Sequence, residues 1–175
     1  MTHQKTTDGD VRIRISGLSN GIHEYHFAVT PTALGLAENF RSTVEIDAHL
    51  DKTTRQIFLR MVIRAAGEYQ CDRCLETFEQ KLSTEYGMLY VYNKADAQAT
   101  PEDEVVVLQP DQVSIDATED VRQMILFSVP LKLLCREECR GLCPHCGSNL
   151  NTTLCECKQE TIDPRWQNLQ GLINN

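Results

Sequence analysis

The chain has 175 residues, 41% of them apolar, and a formal net charge of −8. That length fits one domain of ordinary size with a small appended module. No apolar run approaches the roughly 20 residues of a membrane helix, and the polar start M-T-H-Q-K-T-T-D-G-D lacks a signal-peptide core, so a cytoplasmic protein without membrane contact is expected. In a reducing compartment, eight cysteines point to metal rather than disulfides.

The elements follow in chain order. Residues 11–16, V-R-I-R-I-S, alternate with a period of two, and Tyr25, Phe27 and Val29 repeat the alternation after the turn signal Ser19-Asn20-Gly21. This predicts a first hairpin. Val44, Ile46, Ala48 and Leu50 face inward on the next strand, and Ile57, Leu59, Met61, Ile63 and Ala65 on the one after it. Arg60 and Arg64 share the opposite face with Phe58 and Val62, and Gly67 ends the run. Alternation resumes from Phe78 through Leu82, Tyr86, Met88, Tyr90 and Tyr92. Cys71-Asp72-Arg73-Cys74 therefore sits at a turn between two long antiparallel strands. His23, His26 and His49 alternate with apolar positions and are expected to be solvated.

Residues 93–104 read as an acidic loop. Residues 94–120 carry eight carboxylates against Lys94 alone, so the rest of the chain is nearly neutral and net charge does not decide whether RNA is a partner. A short apolar strand at 105–108 follows. Asp116-Ala117-Thr118-Glu119 has the form of a capping box, opening a helix over 117–129 that carries Val121, Ile125 and Val129 and stops before Pro130. Asp163-Pro164-Arg165-Trp166 opens a C-terminal helix with Trp166, Leu169, Leu172 and Ile173 on its apolar stripe. The predicted fold is α+β: a mostly antiparallel, bent, barrel-like sheet with few helices and a C-terminal cysteine-rich zinc ribbon. Residues 1–130 form the β-rich domain and 131–175 the zinc-binding module.

Between residues 135 and 157 stand Cys135, Cys139, Cys143, Cys146, Cys155 and Cys157. Cys143-Pro144-His145-Cys146-Gly147 is a knuckle in which two thiolates flank a tight turn, and zinc takes four sulfurs, usually as two such pairs. Cys155 and Cys157 are at hand as its second pair. Cys71 and Cys74 are completed by Cys135 and Cys139 in a two-zinc reading, which uses all eight cysteines. The rival is one zinc, held by Cys143 and Cys146 with one of Cys135 and Cys139 and one of Cys155 and Cys157. A disulfide scaffold is the further alternative. His145 is expected at the surface.

Arg60, Arg64 and Arg73 are candidates for an RNA-contacting basic strip with Lys132, Arg136 and Arg140. The alternative is a charged outer sheet face paired with Glu45 and Asp47. Phosphate-binding, dinucleotide-binding, nucleophile-elbow and metalloprotease motifs are all missing, and an all-cysteine set leaves zinc no open position. An enzyme is not expected.

C-D-R-C-L at residues 71–75, the run V-P-L-K-L-L-C-R-E-E-C-R-G-L-C-P-H-C-G-S-N-L-N, then C-E-C and D-P-R-W-Q-N-L resemble the YceD-like family of large ribosomal RNA subunit accumulation proteins. The resemblance is most specific in the C-terminal third and covers residues 40–173 in outline. It implies a non-catalytic factor in processing or early assembly of large-subunit ribosomal RNA, with that RNA, its assembly intermediates or ribosomal proteins as partners. It supplies no catalytic residue. A protein-binding adaptor without RNA contact and a zinc-thiolate redox sensor are the alternatives.

Overall fold

The computed structural model describes residues 4–6, 9–97, 101 and 104–157. Its strands are β1 (Gln4–Thr6), β2 (Arg12–Arg14), β3 (Gly21–Val29), β4 (Val44–Lys52), β5 (Gln56–Gln70), β6 (Thr77–Val91), β7 (Val105–Val107) and β8 (Ser114–Asp116), and the helix is α1 (Thr118–Phe127). The main sheet runs β1-β3-β4-β5-β6-β7. Its four long strands are antiparallel, whereas β1 and β7 add to the edges in parallel.

The sheet is open and mixed rather than barrel-like, because β1 and β7 end it without meeting. Its apolar face is closed over by other elements instead. Val11, Ile13 and Ile15 around β2, Ile115 of β8, and Val121 and Ile125 of α1 are buried in one core with Phe27, Ile46, Leu50, Ile57, Leu59, Met61 and Ile63. Burying a side chain of this size contributes roughly 1.5–3 kcal/mol, so the covering ribbon and helix remove the need for strand closure.

Several local expectations are corrected. The first hairpin does not form: both edges of β3 are taken by β1 and β4, and β2 pairs with β8, Ile13 opposite Ile115. Arg12 donates to the Asp116 carboxylate at 2.7 Å along that ribbon. The capping box is also absent, and the helix is shorter than 117–129. Asp116 ends β8, its Oδ1 accepting the Thr118 N–H at 3.0 Å, while Ala117 stands at the helix N-cap. Glu119 engages Arg122 and Gln123 rather than the helix start.

The β5–β6 hairpin pairs over its whole length, from Gln56 opposite Val91 to Gln70 opposite Thr77. Gly67 does not end β5. It bridges to Phe40, and a Cβ there would stand 2.7 Å from the Tyr69 ring, so glycine is what lets the strand run on. The hairpin tip carries Cys71. On the outer sheet face Arg64 pairs with Asp47 at 2.6 Å and Arg60 with Glu85. His26, expected to be solvated, is half-buried and held at 2.8 Å by both Asp47 and Glu45. Among the described residues of the acidic stretch, Lys94–Ala97 form a 3-10 turn. The expected C-terminal helix lies outside the described residues.

Candidate metal centres

Two turns of the same construction present cysteines. At the hairpin tip, the Cys71 N–H donates to the Glu76 carbonyl and the Leu75 N–H to the Cys71 carbonyl, both at 2.9 Å. In the second, the Cys143 N–H donates to the Ser148 carbonyl at 2.8 Å and the Gly147 N–H to the Cys143 carbonyl at 2.9 Å. Each turn needs left-handed backbone at its fifth residue, φ +72° at Gly147 and φ +60° at Leu75. Glycine takes that conformation freely, whereas a side chain there costs about 1–2 kcal/mol. Leu75 is nevertheless 54% exposed, so burial does not explain its presence. The sequence signal for this strain is the alignment of C-D-R-C-L-E with C-P-H-C-G-S, which the cysteine spacing alone does not reveal.

The eight cysteines gather into two clusters of four. In the first, Cys71 stands 3.8 Å from Cys139 and Cys74 stands 3.6 Å from Cys135, sulfur to sulfur. In the second, Cys155 lies 3.3 Å from Cys143 and 3.5 Å from Cys146, with Cys157 completing the set. Within each cluster all sulfurs lie within 4.8 Å of one another. Four thiolates at about 2.3 Å from a tetrahedral ion stand about 3.8 Å apart, which is close to what is found. Disulfide sulfurs would be about 2.05 Å apart. Each cluster could hold a metal ion, and the sets are those of the two-site reading, with both sulfurs of the C-x-C pair included.

Four sulfurs this close cannot all ionise unaided. Burial pushes the Cys71 thiol up, but N–H donors from Cys135, Cys74 and Arg73 outweigh it and bring it down to about 6. Burial, then the neighbouring sulfurs of Cys74, Cys139 and Cys71, push Cys135 up to about 12. The second cluster divides likewise: the Ser148 hydroxyl and N–H bring Cys146 down to about 6, while the sulfurs of Cys155 and Cys146 raise Cys157 to about 12. A divalent cation would resolve both conflicts.

The first cluster joins distant segments, and the residues between its first two cysteines hold the joint. Asp72 exchanges two hydrogen bonds with Leu133, giving its N–H at 2.8 Å and accepting at Oδ2 at 2.7 Å. The Arg73 guanidinium donates to the carbonyls of Cys139 at 2.8 Å and Glu137 at 3.3 Å, and the Arg73 carbonyl accepts the Leu142 N–H. Asn149 reaches back to Glu76 at 2.8 Å. Phe78, Leu134 and Leu142 pack around Cys71, Cys74 and Cys139 as a second small core. That core shields the first cluster, whereas Cys146 and Cys157 of the second are exposed.

The basic candidates are thereby sorted. Arg60 and Arg64 sit in ion pairs on the sheet, and Arg73 braces the joint. Lys132, Arg136 and Arg140 are exposed and make no ion pair among the described residues. His145 is exposed and outside both clusters.

An open mixed sheet whose central hairpin ends in the first of two four-cysteine clusters defines a β-sheet protein with two sets of thiols that could each hold a metal ion. The chain belongs to the YceD family: the family model described as large ribosomal RNA subunit accumulation protein YceD matches residues 59–173. That span takes in most of β5, all of β6 and both cysteine clusters. An uncharacterised protein of Mycobacterium tuberculosis is 28% identical over 169 residues, covering 91% of this chain and 78% of its own. YlbN of Bacillus subtilis is 24% identical over 75% of each chain. The chloroplastic YCED homolog 1 of Zea mays, a large ribosomal RNA subunit accumulation protein, is 46% identical over 59 residues, 33% of this chain and 18% of the maize protein. No solved structure matches the chain. Among the described residues no helix is long and apolar enough to cross a membrane.

Proposed function

We propose that this protein is a cytoplasmic, non-catalytic factor that supports processing or accumulation of large-subunit ribosomal RNA by binding the RNA or an assembly intermediate. Both cysteine clusters hold structural zinc in this reading. Soft thiolates in tetrahedral sets of four favour zinc, and such sets leave no open coordination position for chemistry. The observation that carries the reading is the joint itself. The first cluster fixes the cysteine-rich segment onto the β5–β6 hairpin, and the same segment presents Lys132, Arg136 and Arg140 without carboxylate partners among the described residues. Cations without such partners are free to contact phosphate, and binding of that kind weakens with salt.

The test is sedimentation of the full-length protein from gently lysed cells through a sucrose gradient in low and high salt. Co-migration with large-subunit precursors that disappears as salt rises is expected. Protein confined to the top of the gradient in low salt would overturn the binding role.

A further inference from the structure

The loop between two ligands of the exposed cluster supplies a hydrogen bond to a ligand of the buried one. Cys146 and Cys155 bracket residues 147–154, and within that loop Asn151 turns its amide towards the first cluster. Its Nδ2 donates to the Cys139 sulfur at 3.3 Å and to the Asn149 Oδ1 at 2.8 Å. Its Oδ1 accepts the Arg140 N–H at 2.9 Å, and its own N–H also reaches the Asn149 Oδ1. The Leu150 N–H donates to the Gly141 carbonyl at 2.9 Å. The loop that the second centre closes is therefore laid against the stretch of chain carrying Cys139.

The two centres also differ in access. Cys71, Cys74 and Cys139 of the first are 0%, 4% and 3% exposed, while Cys146 and Cys157 of the second are open to solvent. A chelator in solution reaches the second set directly. A donor N–H on a metal-bound thiolate disperses its charge and orients it, and partners of this kind are worth about 10–100-fold in metal affinity.

We propose that Asn151 is a metal-positioning residue shared by the two centres. Occupancy of the exposed centre holds residues 147–154 in place, and this sustains metal retention at the buried one. Metal then leaves in a fixed order, from Cys143, Cys146, Cys155 and Cys157 first, and its departure weakens the hold at Cys71, Cys74, Cys135 and Cys139. The proposal rests on the reading of both clusters as zinc sites.

The test follows zinc release from the full chain into 4-(2-pyridylazo)resorcinol, with native mass spectrometry reporting zinc per chain. The unmodified protein is expected to start with two zinc ions and lose them in a fast and a slow phase. Asn151→Ala is expected to start with two zinc ions, keep the fast phase, and speed the slow phase by about tenfold. After cobalt replacement, the same change should shift the thiolate charge-transfer band of the slowly released ion, which a merely scaffolding role would leave in place. Should Asn151→Ala not fold, Cys146→Ser removes the exposed centre through its own ligand. At a free zinc level that keeps both centres of the unmodified protein filled, the remaining ion of the variant should exchange with isotopically labelled zinc faster than the slowly exchanging ion of the unmodified protein. Fewer than two zinc ions on the unmodified protein would overturn the zinc reading beneath the proposal. Two zinc ions on the unmodified protein, with a slow phase and a cobalt band unmoved by Asn151→Ala, or with labelled-zinc exchange of the slow ion unmoved by Cys146→Ser in its place, would overturn the shared positioning alone.

Discussion

The carbonyl oxygen of Arg73 lies 3.0 Å from the place a Cβ on Gly141 would occupy, and that carbonyl accepts the N–H of Leu142 at 3.0 Å. Backbone meets backbone here, with Gly141 at φ +76°. Gly141→Ala therefore meets two obstacles, a left-handed backbone and a clash with main chain that cannot swing aside. Opening of the joint between hairpin tip and cysteine-rich segment should become easier by about 1–3 kcal/mol. Limited proteolysis of the zinc-loaded protein should cleave residues 131–157 sooner in the variant, while hydrogen exchange in β4 and β5 stays as before. Unaltered cleavage would mean that the Arg73 contact is not what holds the segment.

Leu75 offers the opposite substitution. Its φ of +60° with 54% exposure combines strain with little burial to lose. Leu75→Gly relieves about 1–2 kcal/mol and loosens the unfolded chain by about 0.5–1 kcal/mol. A net gain of about 0.5–1 kcal/mol should remain, read as a higher denaturant midpoint at saturating zinc. A lower midpoint would show that the leucine side chain stabilises the turn through contacts worth more than its strain.

Much of this architecture is legible in the sequence, and the misses share a cause. Period-two alternation places the inward faces of β4 and β5 correctly because each side-chain position there is decided by burial alone. Alternation says which face is buried but not which strand lies alongside, so it sets β2 beside β3 when its partner, β8, lies about a hundred residues away. Gly67 reads as a stop because glycine commonly punctuates strands, yet here the space taken by the Tyr69 ring is the reason for it. For the cysteine clusters, spacing picks out eight candidate ligands, and the arithmetic of four and four suggests the two sets that the fold brings together. What spacing does not carry is the work of the intervening residues. Arg73 reads as a candidate RNA contact and Asp72 carries no signal of its own, and only the folded joint shows them bound to Leu133, Glu137 and Cys139.

Zinc binding should release protons in a predictable amount. Cys71 and Cys146 are held down to about 6 and are ionised at about pH 7.5, whereas Cys135 and Cys157 at about 12, with Cys74 and Cys155 also raised, still carry theirs. Each cluster must then shed at least two protons as metal enters. Because the metal-free state binds more protons, affinity rises with pH and falls as pH drops, by about 100-fold per unit for two protons. Calorimetry of the reduced, metal-free chain in two buffers of different ionisation heat gives the number directly. A proton count near zero would mean that the thiols are already ionised and that the division within each cluster is wrong.

The last expectation concerns Lys132, Arg136 and Arg140, and it separates cations that are free from those already committed. Arg60 is paired with Glu85 across the sheet, so an approaching phosphate would have to displace a carboxylate. The three residues of the cysteine-rich segment face no such competitor among the described residues. If they contact RNA, replacing all three by alanine should weaken binding to a large-subunit ribosomal RNA fragment. It should also flatten the dependence of log affinity on log salt by about two to three units, near one for each phosphate that is no longer neutralised. Arg60→Ala serves as the control and should leave that slope unchanged. Zinc content of both variants must match the unmodified protein, since an emptied centre would dislodge the segment and imitate the effect. A slope unaffected by the triple change at full zinc would remove these residues from the RNA interface. A slope flattened by Arg60→Ala instead would move that interface to the outer face of the sheet.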